Sequence, residues 1–334
     1  MIRIEENISL KPYHTFGMNV NTRYFAEYET VEDLRSLLIS PLIKNNNNLH
    51  IGGGSNLLFT KDYTGIIIHS CIKTYAKTED LDFVYLKVGA GVVWDDFVAY
   101  TVQNGWGGAE NLSYIPGEVG ASAVQNVGAY GVEAKDLIER VYTISVETGE
   151  ERIFTNKECN YGYRTSIFKK ELRGQYIVTH VEFKLHKNPI FKLTYGNLQA
   201  VVGEEPTLIS VRNAVISVRK QKLPEPSEKG SAGSFFINPV VETEKYQDLK
   251  KQYPEMPSYP ASDGKVKLSA AWLIDKAGWH GKRVGGAAVY PKQCLVLVND
   301  NNATPQDVIE LALQIKNSVY EKYGVIITPE VNYI

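Results

Sequence analysis

Two glycine-rich segments in the first half of the chain constrain its fold more than any other feature. The first, residues 52–56, reads Gly-Gly-Gly-Ser-Asn and follows a short apolar run at residues 49–51; the second spans residues 115–131. Glycine lets a backbone approach a ligand closely, and successive backbone N–H groups form a concave site for anions. Two such loops predict a large anionic ligand held from two sides, as a dinucleotide would be. Taken alone, residues 52–54 fit a turn between strands equally well.

The common nucleotide-binding motifs are absent. No G-x-x-x-x-G-K-[ST] segment occurs, which argues against a P-loop. The pair Gly89 and Gly91 is followed by Val92, Val93 and Trp94 rather than by the third glycine of a dinucleotide fingerprint.

Composition restricts the function classes. The length of 334 residues suggests two or three domains, and a net charge of -2 gives no basic surface for nucleic acid or acidic lipid. The scattered Cys71, Cys159 and Cys294 indicate reduced thiols in a cytoplasmic protein. We expect no signal peptide and no membrane span, because no apolar run is long enough. None of the six histidines forms H-x-x-x-H or lies beside C-x-x-C, so we expect no metal site.

Periodicity and capping residues predict an α+β chain of short elements. Thr30 and Thr304 are placed to cap helices, and residues 44–48 and 221–230 are expected to be a polar loop and a proline-rich linker. The predicted helices cover residues 31–39, 93–104, 269–276 and 305–323. The predicted strands cover residues 25–28, 65–69, 84–89, 141–146, 176–184 and 294–298.

Nine motifs follow one another in a characteristic order. They are GGGSN (52–56), IPGEVGASAVQNVGAYG (115–131), YGYRTSIFK (161–169), LTYGNL (193–198), KLPEP (222–226), GSAGSFFINP (230–239), LIDKAGW (273–279), GGAAV (285–289) and TPEV (328–331). With these motifs the chain resembles the UDP-N-acetylenolpyruvoylglucosamine reductase family over essentially its whole length. The segment at 193–198 is similar to the tyrosine-bearing extra segment of the longer form of that family.

The resemblance implies a fold, a cofactor and a substrate. The fold would be the FAD-binding fold of the vanillyl-alcohol oxidase type, with residues 1–70 and 324–334 as its first subdomain and 71–222 as its second. Residues 223–323 would form a C-terminal α+β substrate-binding domain. The implied cofactor is non-covalent FAD, reduced by NADPH, and the implied substrate is UDP-N-acetylglucosamine enolpyruvate in peptidoglycan synthesis. We expect a cytoplasmic monomer without nucleic-acid or membrane partners.

The resemblance also assigns roles to individual residues. Arg164, Ser234 and Glu330 would be catalytic, although by residue type alone they fit a surface arginine, a turn serine and a solvated glutamate. The family's substrate contacts match Tyr163, Tyr195, Lys222, Asn238 and Gln293. Its cofactor contacts match Gly52, Gly53, Gly54, Ser55, Asn56, Pro116, Gly117, Gly120, Ala121, Gln125, Asn126, Gly128, Ala129 and Tyr130.

Two departures and two alternatives accompany this interpretation. Glu118 stands where the family commonly has a small residue, and Asn332 stands where the longer form often has arginine. Both put details of flavin contact in doubt. Another FAD-dependent oxidoreductase of the same fold is one alternative, although neither glycine loop contains the histidine or cysteine used for covalent attachment. A non-catalytic sugar-nucleotide-binding protein is the other.

Overall fold

The computed structural model describes residues 1–225 and 228–334, in which short strands and helices are mixed along the chain. The strands are β1 (Ile2–Ser9), β2 (Asn21–Tyr28), β3 (Asn48–Ile51), β4 (Leu57–Leu58), β5 (Tyr63–Ser70), β6 (Tyr75–Glu79), β7 (Phe83–Gly89), β8 (Gly128–Ala129), β9 (Val132–Glu133), β10 (Ile138–Ser145), β11 (Glu151–Thr155), β12 (Tyr176–His186), β13 (Gly230–Ser234), β14 (Val240–Val241), β15 (Ser258–Pro260), β16 (Val266–Leu268), β17 (Arg283–Val284), β18 (Ala287–Val289), β19 (Val296–Asn299) and β20 (Asn332–Tyr333). The helices are α1 (Val31–Ile39), α2 (Pro41–Lys44), α3 (Trp94–Gln103), α4 (Val119–Gln125), α5 (Leu198–Val202), α6 (Leu208–Lys222), α7 (Thr243–Gln252), α8 (Ala270–Ile274) and α9 (Pro305–Tyr323).

The first compact unit consists of Met1–Ile8, Thr22–Gly53 and Thr64–Arg219. It holds one sheet ordered β1-β2-β5-β3, with β3 parallel to β5, and an antiparallel sheet ordered β11-β10-β12-β7-β6. Helix α1 shares an apolar cluster with the first sheet. Helix α3 packs on the second sheet, where the rings of Phe97 and Phe183 stack with centroids 4.3 Å apart. These two cores support the glycine loops that follow β3 and α3.

The second compact unit consists of Ser9–Asn21, Gly54–Tyr63 and Lys220–Ile334. Its main sheet is antiparallel in the order β13-β19-β18-β17, and β14-β16-β15 form a smaller sheet. The C-terminal β20 pairs in parallel with β4. Two early segments of the chain therefore belong to the same packed body as its last third.

Most of the predicted elements are present, and the α+β class is confirmed. Thr30 caps α1 and Thr304 caps α9, each in a reciprocal capping box with an aspartate three residues later. The predicted strand at 294–298 is shifted, because β19 covers Val296–Asn299. The predicted helix at 269–276 divides into α8 and a π-helical turn, Asp275–Trp279. Across the described residues, no helix is both long and apolar enough to cross a bilayer.

Three loop predictions need correction. The predicted polar loop at 44–48 is one residue shorter at each end, since α2 ends at Lys44 and β3 begins at Asn48. The second glycine segment contains α4, in which Gly120 packs so closely on Ala90 that a Cβ there would lie 2.8 Å from the Ala90 Cβ. The linker was predicted to begin two residues too early, because α6 continues through Lys222; Pro226 and Ser227 lie outside the described residues.

Candidate active site

The two glycine loops contact each other within the first unit. A Cβ added at Gly53 would lie 3.3 Å from the Cα of Gly117, and one added at Gly52 would lie 3.3 Å from the Cβ of Ala121. Such separations are tighter than ordinary van der Waals contact, so larger residues would push the loops apart. Glycine at 52 and 53 therefore suits the close approach of these two loops.

The rest of the first glycine loop is held within the second unit. Gly54 has a φ of +60°, and a side chain there would also clash with the carbonyl oxygen of Tyr13. Beyond Ser55, the Asn56 side chain donates to the Glu330 carbonyl oxygen at 3.3 Å. The Asn56 carbonyl accepts from the backbone N–H of Asn332 at 3.1 Å and from its side-chain amide at 3.3 Å. The departure at Asn332 thus anchors this loop to the C-terminal strand.

The departure at Glu118 also has a defined role. Its carboxylate accepts from the His69 Nε2 at 2.8 Å, while the His69 Nδ1 lies 3.0 Å from a carboxylate oxygen of Glu27. All three side chains are largely buried. Burial alone would lower the pKa of His69, but the hydrogen bonds and charges of Glu118 and Glu27 outweigh it and raise that pKa. A Cβ at Gly52 would lie 3.2 Å from the Glu118 carboxylate. The hydrogen bond to His69 therefore holds this carboxylate beside the first glycine loop.

Four residues other than glycine adopt positive φ in the first unit around the second glycine segment. They are Tyr114 (60°), Asn126 (51°), Tyr130 (49°) and Arg164 (56°). Each such conformation costs about 1–3 kcal/mol and tends to persist at functional sites, where surrounding bonds hold it. The concentration marks this region as a candidate site independently of sequence motifs.

Arg164 is anchored by the second glycine segment. Its Nη2 donates to the Gly128 carbonyl at 2.7 Å, and a Cβ at Gly128 would lie 2.9 Å from its Nη1. Lys169 donates to the Arg164 carbonyl at 3.2 Å and to the Gln125 side chain at 2.6 Å. The guanidinium also lies 5.3 Å from the centroid of the Tyr163 ring, which is partly exposed. Glycine at 128 therefore makes room for a fixed arginine.

Tyr130, two residues after the Gly128 that anchors Arg164, packs against Tyr195. Their rings are edge-to-face with centroids 6.0 Å apart, and Tyr195 is half exposed. The buried amide of Asn111 donates to the carbonyl oxygens of Tyr130 and Lys192, at 2.9 and 2.7 Å, and so joins the two segments. Next to Ala129 and Tyr130, Asn126 is fully buried and uses its side chain for bonds to Glu133, Gly162 and Lys135.

Helix α6 braces the second glycine segment, and the sequence interpretation missed it. Arg212 makes a bidentate ion pair with Asp95 at 2.7 and 2.8 Å, and Asp95 also accepts from the Tyr114 backbone N–H. Arg219 donates to the Tyr114 carbonyl at 2.9 Å. The apolar residues 208, 211, 215 and 218 face the core at helical spacing, so the signal was present in the sequence. Pro116 and Gly117 therefore follow a tyrosine fixed from both sides.

In the second unit, the segments that carry Ser234 and Glu330 are joined by backbone hydrogen bonds. Ser234 is exposed at the end of β13, after a β-bulge and Gly233 at a φ of +68°. The next residue, Phe235, donates to the Leu295 carbonyl at 2.6 Å and accepts from the Glu330 N–H at 2.8 Å. The predicted proton donor and the predicted carboxylate are thus brought together by backbone pairing.

The remaining predicted substrate contacts are spread around the second unit. Asn238 accepts from the Ala270 N–H at 2.9 Å, which helps to start α8. Gln293 accepts from the Leu295 N–H at 3.3 Å, beside the strand that pairs with Phe235. Lys222 is exposed at the end of α6. These side chains offer an amide, an amide and a cation, which suit a polar, anionic ligand.

Comparison with known proteins decides the family. A model of an FAD binding domain matches residues 22–154, and a model of the UDP-N-acetylenolpyruvoylglucosamine reductase C-terminal domain matches residues 225–334. UDP-N-acetylenolpyruvoylglucosamine reductase of Bacteroides fragilis is 50% identical over 336 residues, covering 99% of this chain and all of that protein. The chain belongs to the UDP-N-acetylenolpyruvoylglucosamine reductase family.

Solved structures agree with this membership. The UDP-N-acetylenolpyruvylglucosamine reductase of Thermus caldophilus superposes with a TM-score of 0.71 at 25% identity, covering 100% of this chain and 99% of that one. A variant of BBE-like 1 from Physcomitrella patens, at 12% identity and a TM-score of 0.51, covers 96% of this chain and 87% of that one and shows a likeness of fold alone. The predicted family, the flavin-binding fold of the vanillyl-alcohol oxidase type and the class of FAD-dependent oxidoreductase are confirmed.

Proposed function

We propose that this reductase converts UDP-N-acetylglucosamine enolpyruvate to UDP-N-acetylmuramate, with bound FAD and with NADPH as the source of reducing equivalents. The observation that supports the proposal is the backbone hydrogen bond between Phe235 and Glu330, which joins the segments that carry Ser234 and Glu330. Reduction of an enolpyruvyl ether requires a hydride at the β-carbon, stabilised charge on the carboxylate and a proton at the α-carbon. The chain offers side chains suited to the last two tasks.

The glycine loops fit a flavin pyrophosphate. Gly52 and Gly53 leave no side chain at the contact with Gly117, and the charge of the nearby Glu118 is offset by His69. We propose the fourteen cofactor positions named from the sequence as the FAD site, with no covalent bond because neither loop contains histidine or cysteine. When bound, FAD would supply the hydride for the substrate.

Arg164 binds and orients the substrate carboxylate in this proposal. A guanidinium stays charged at any working pH and can bind a carboxylate through two parallel hydrogen bonds. Its anchoring to Gly128 fixes its position before substrate arrives. Preorganised positive charge stabilises the negative charge that develops as the alkene is reduced, and this is usually the largest catalytic contribution.

Ser234 donates the proton to the α-carbon. A hydroxyl is a weak acid at neutral pH, but a carbanionic carbon is a much stronger base, so the transfer runs downhill. Glu330 shares the binding of the substrate carboxylate, which requires a shared proton or an intervening cation between the two carboxyl groups. Tyr163, Tyr195, Lys222, Asn238 and Gln293 would hold the diphosphate and uridine portions through hydrogen bonds and one positive charge.

The wider biological assignments follow from this function. We propose that the reductase acts as a cytoplasmic monomer in cell-wall biogenesis, and so in cell shape and division. Residues 1–70 with 324–334 and residues 71–222 would serve as the FAD-binding subdomains, and residues 223–323 would bind substrate. The packing units differ from this division, since residues 9–21 and 54–63 pack with the last third of the chain.

Replacing Ser234 separates the two half-reactions. Ser234→Ala should leave bleaching of the flavin absorbance by NADPH nearly intact and slow its recovery on adding the enolpyruvyl substrate by about 10²- to 10⁴-fold. Ser234→Cys should restore part of that rate, because a thiol also donates a proton. Stopped-flow absorbance measures both steps, with Ser231→Ala as the control three residues earlier on β13. Slow bleaching with normal recovery in Ser234→Ala would place the serine in the cofactor site instead.

A further inference from the structure

Three side chains of different chemistry converge in the second unit, and none of the three is assigned to the reaction, although Cys294 directly follows Gln293. Asp275 begins the π-helical turn after α8, His280 follows that turn, and Cys294 lies two residues before β19. The Cys294 Sγ lies 3.8 Å from the Asp275 Oδ1 and 3.7 Å from the His280 Nδ1, and the Nδ1 and Oδ1 are 3.2 Å apart. A thiol, an imidazole nitrogen and a carboxylate oxygen therefore form a small triangle.

The dimensions of this triangle match one metal ion. Tetrahedral Zn²⁺ has Zn–S bonds of about 2.3 Å and Zn–N and Zn–O bonds of about 2.0–2.1 Å. Those bonds place sulfur about 3.5 Å from the nitrogen or oxygen ligand, and nitrogen about 3.3 Å from oxygen. All three observed separations lie close to these values.

The same residue types occur in cysteine–histidine–aspartate relays, but the geometry here differs. A relay uses both ring nitrogens of the histidine, one toward the nucleophile and the other toward the carboxylate. In this cluster the thiol and the carboxylate both approach Nδ1. Atoms that converge on a single point suit a shared ion rather than a proton path.

Burial and exposure are also arranged for metal binding. Cys294 is 6% exposed, whereas the side chains of Asp275 and His280 are 38% and 60% exposed. Metal can therefore reach the cluster from solvent, and water can complete the fourth position. Burial, and then the neighbouring Asp275 carboxylate, raises the pKa of the Cys294 thiol to about 11. Binding must therefore release the thiol proton to solvent, because the thiolate is the ligand.

A second cluster of ligand atoms, from Glu27, His69 and Cys71, is less suited to a metal. His69 already directs its Nδ1 to Glu27 and its Nε2 to Glu118. A histidine that bridges two carboxylates in this way holds a proton on each nitrogen and offers no lone pair. This cluster therefore provides an internal comparison within the same chain.

We propose that Asp275, His280 and Cys294 form a three-ligand site for Zn²⁺, with water as the fourth ligand. Bound zinc would tie the end of the π-helical turn to the chain just before β19. Residues 290–296 already form a closed loop, because the Tyr290 N–H donates to the Val296 carbonyl at 2.8 Å. Motif searches do not detect such a site, because its ligands are separated by five and fourteen residues.

Zinc titration of the full chain tests the proposal. A chelator first removes any bound metal ion from the flavin-loaded protein. The protein is then titrated with Zn²⁺ against a chromophoric competitor, and Co²⁺ is used as a spectroscopic probe. We expect one Zn²⁺ per chain and, with Co²⁺, a thiolate charge-transfer band with the visible bands of tetrahedral coordination. His280→Gln changes an exposed side chain and should weaken Zn²⁺ binding more than about 100-fold, as should Cys294→Ser.

The controls distinguish the two clusters. Cys71→Ser should leave the zinc stoichiometry and the cobalt spectrum unchanged. Absence of Zn²⁺ binding by the unaltered chain would overturn the proposal. It would be overturned equally if Cys71→Ser abolished binding while His280→Gln and Cys294→Ser retained it.

Discussion

At the scale of single residues, the bridge through His69 explains how a glutamate is accommodated beside a loop expected to bind an anion. Glu118 packs on Gly52, where an unbalanced negative charge would repel a pyrophosphate. His69 bonds both Glu118 and Glu27, and Arg3 lies 3.5 Å from the second oxygen of Glu27. The neighbouring His50 is partly buried, and burial followed by the charge of His69 lowers its pKa to about 3. The single ring of His69 therefore hydrogen-bonds two buried carboxylates and offsets part of their negative charge.

We predict that His69→Gln destabilises the fold most at low pH within the range 6–9. The pKa of His69 is raised in the folded state, so its contribution is fully present below the unfolded value of about 6.5 and is lost as pH rises through the folded pKa. Hydrogen bonds to charged partners contribute about 1.5–3 kcal/mol each, which sets the scale. Urea unfolding of both proteins across this range measures the difference in free energy.

His180→Gln is the matched control for this experiment. Burial, and then the charge of Lys87, lowers the pKa of His180 to about 4. The contribution of His180 to the free energy of unfolding therefore falls as pH drops below about 6.5. The destabilisation by His180→Gln should accordingly be smallest at low pH, the opposite of the trend for His69→Gln. A destabilisation by His69→Gln that stays constant from pH 6 to 9 would mean that folding does not raise the pKa of His69.

Sequence reasoning proposed candidate site residues but could not show how the fold holds each of them. The glycines, Arg164, Ser234 and Glu330 are recognisable from ordered motifs. The positive φ of Arg164 and its bond to Gly128 join positions 36 residues apart, and only the folded chain reveals such contacts. The same holds for Glu118, whose unusual identity was visible while its partner His69 lay 49 residues earlier.

At the scale of elements, helices with strong local signals were predictable and those that depend on packing were not. α1 and α9 have threonine caps and regular apolar spacing. α4 reads as a loop because glycine and serine disfavour helix, yet it forms against Ala90 and ends at Asn126 in the left-handed conformation. α6 carried a readable apolar pattern, but the proline-rich stretch after it drew the predicted linker two residues into the helix.

We predict that α6 contributes to stability through its ion pair with the start of α3. Arg212→Ala would leave the Asp95 carboxylate, which also holds the Tyr114 N–H, without its bidentate partner. Breaking a fully buried pair costs about 3–5 kcal/mol; we expect about 1.5–3 kcal/mol here because both side chains keep some exposure. Chemical unfolding measures the loss, and hydrogen exchange at residues 113–120 should become faster.

An exposed ion pair supplies the comparison for that prediction. Lys251 and Asp248 lie one helical turn apart on α7 and are both largely exposed. Lys251→Ala should therefore change stability by less than about 0.5 kcal/mol. If Arg212→Ala costs no more than Lys251→Ala, the helix is held by its apolar face alone.

At the scale of the whole molecule, the packing units interleave along the sequence. Residues 9–21 and 54–63 belong with the last third of the chain, and the first glycine loop crosses between units after Gly53. Reading the sequence in order cannot reveal such a division, because it depends on contacts such as that of Thr15 with Ser231, 216 residues apart. Ordered motifs identified the family over the full length without it.

We predict that Gly53→Asp removes the flavin from an otherwise folded protein. The new Cβ would crowd the Gly117 Cα at 3.3 Å, and the new carboxylate would lie near Glu118 in a loop proposed to hold a pyrophosphate. At about 4 Å, the new carboxylate and a pyrophosphate charge would repel each other by about 1–4 kcal/mol, which corresponds to roughly 10- to 1000-fold weaker flavin binding. Gly53→Ala adds only the steric component and should keep most of the flavin. Because a ligand that binds the native state raises its stability, the Tm of purified Gly53→Asp should fall to that of flavin-stripped wild type and no further. The flavin-to-protein absorbance ratio and thermal unfolding measure these two effects. A folded Gly53→Asp protein with full flavin content would show that the contact between the two glycine loops is not where the cofactor is held.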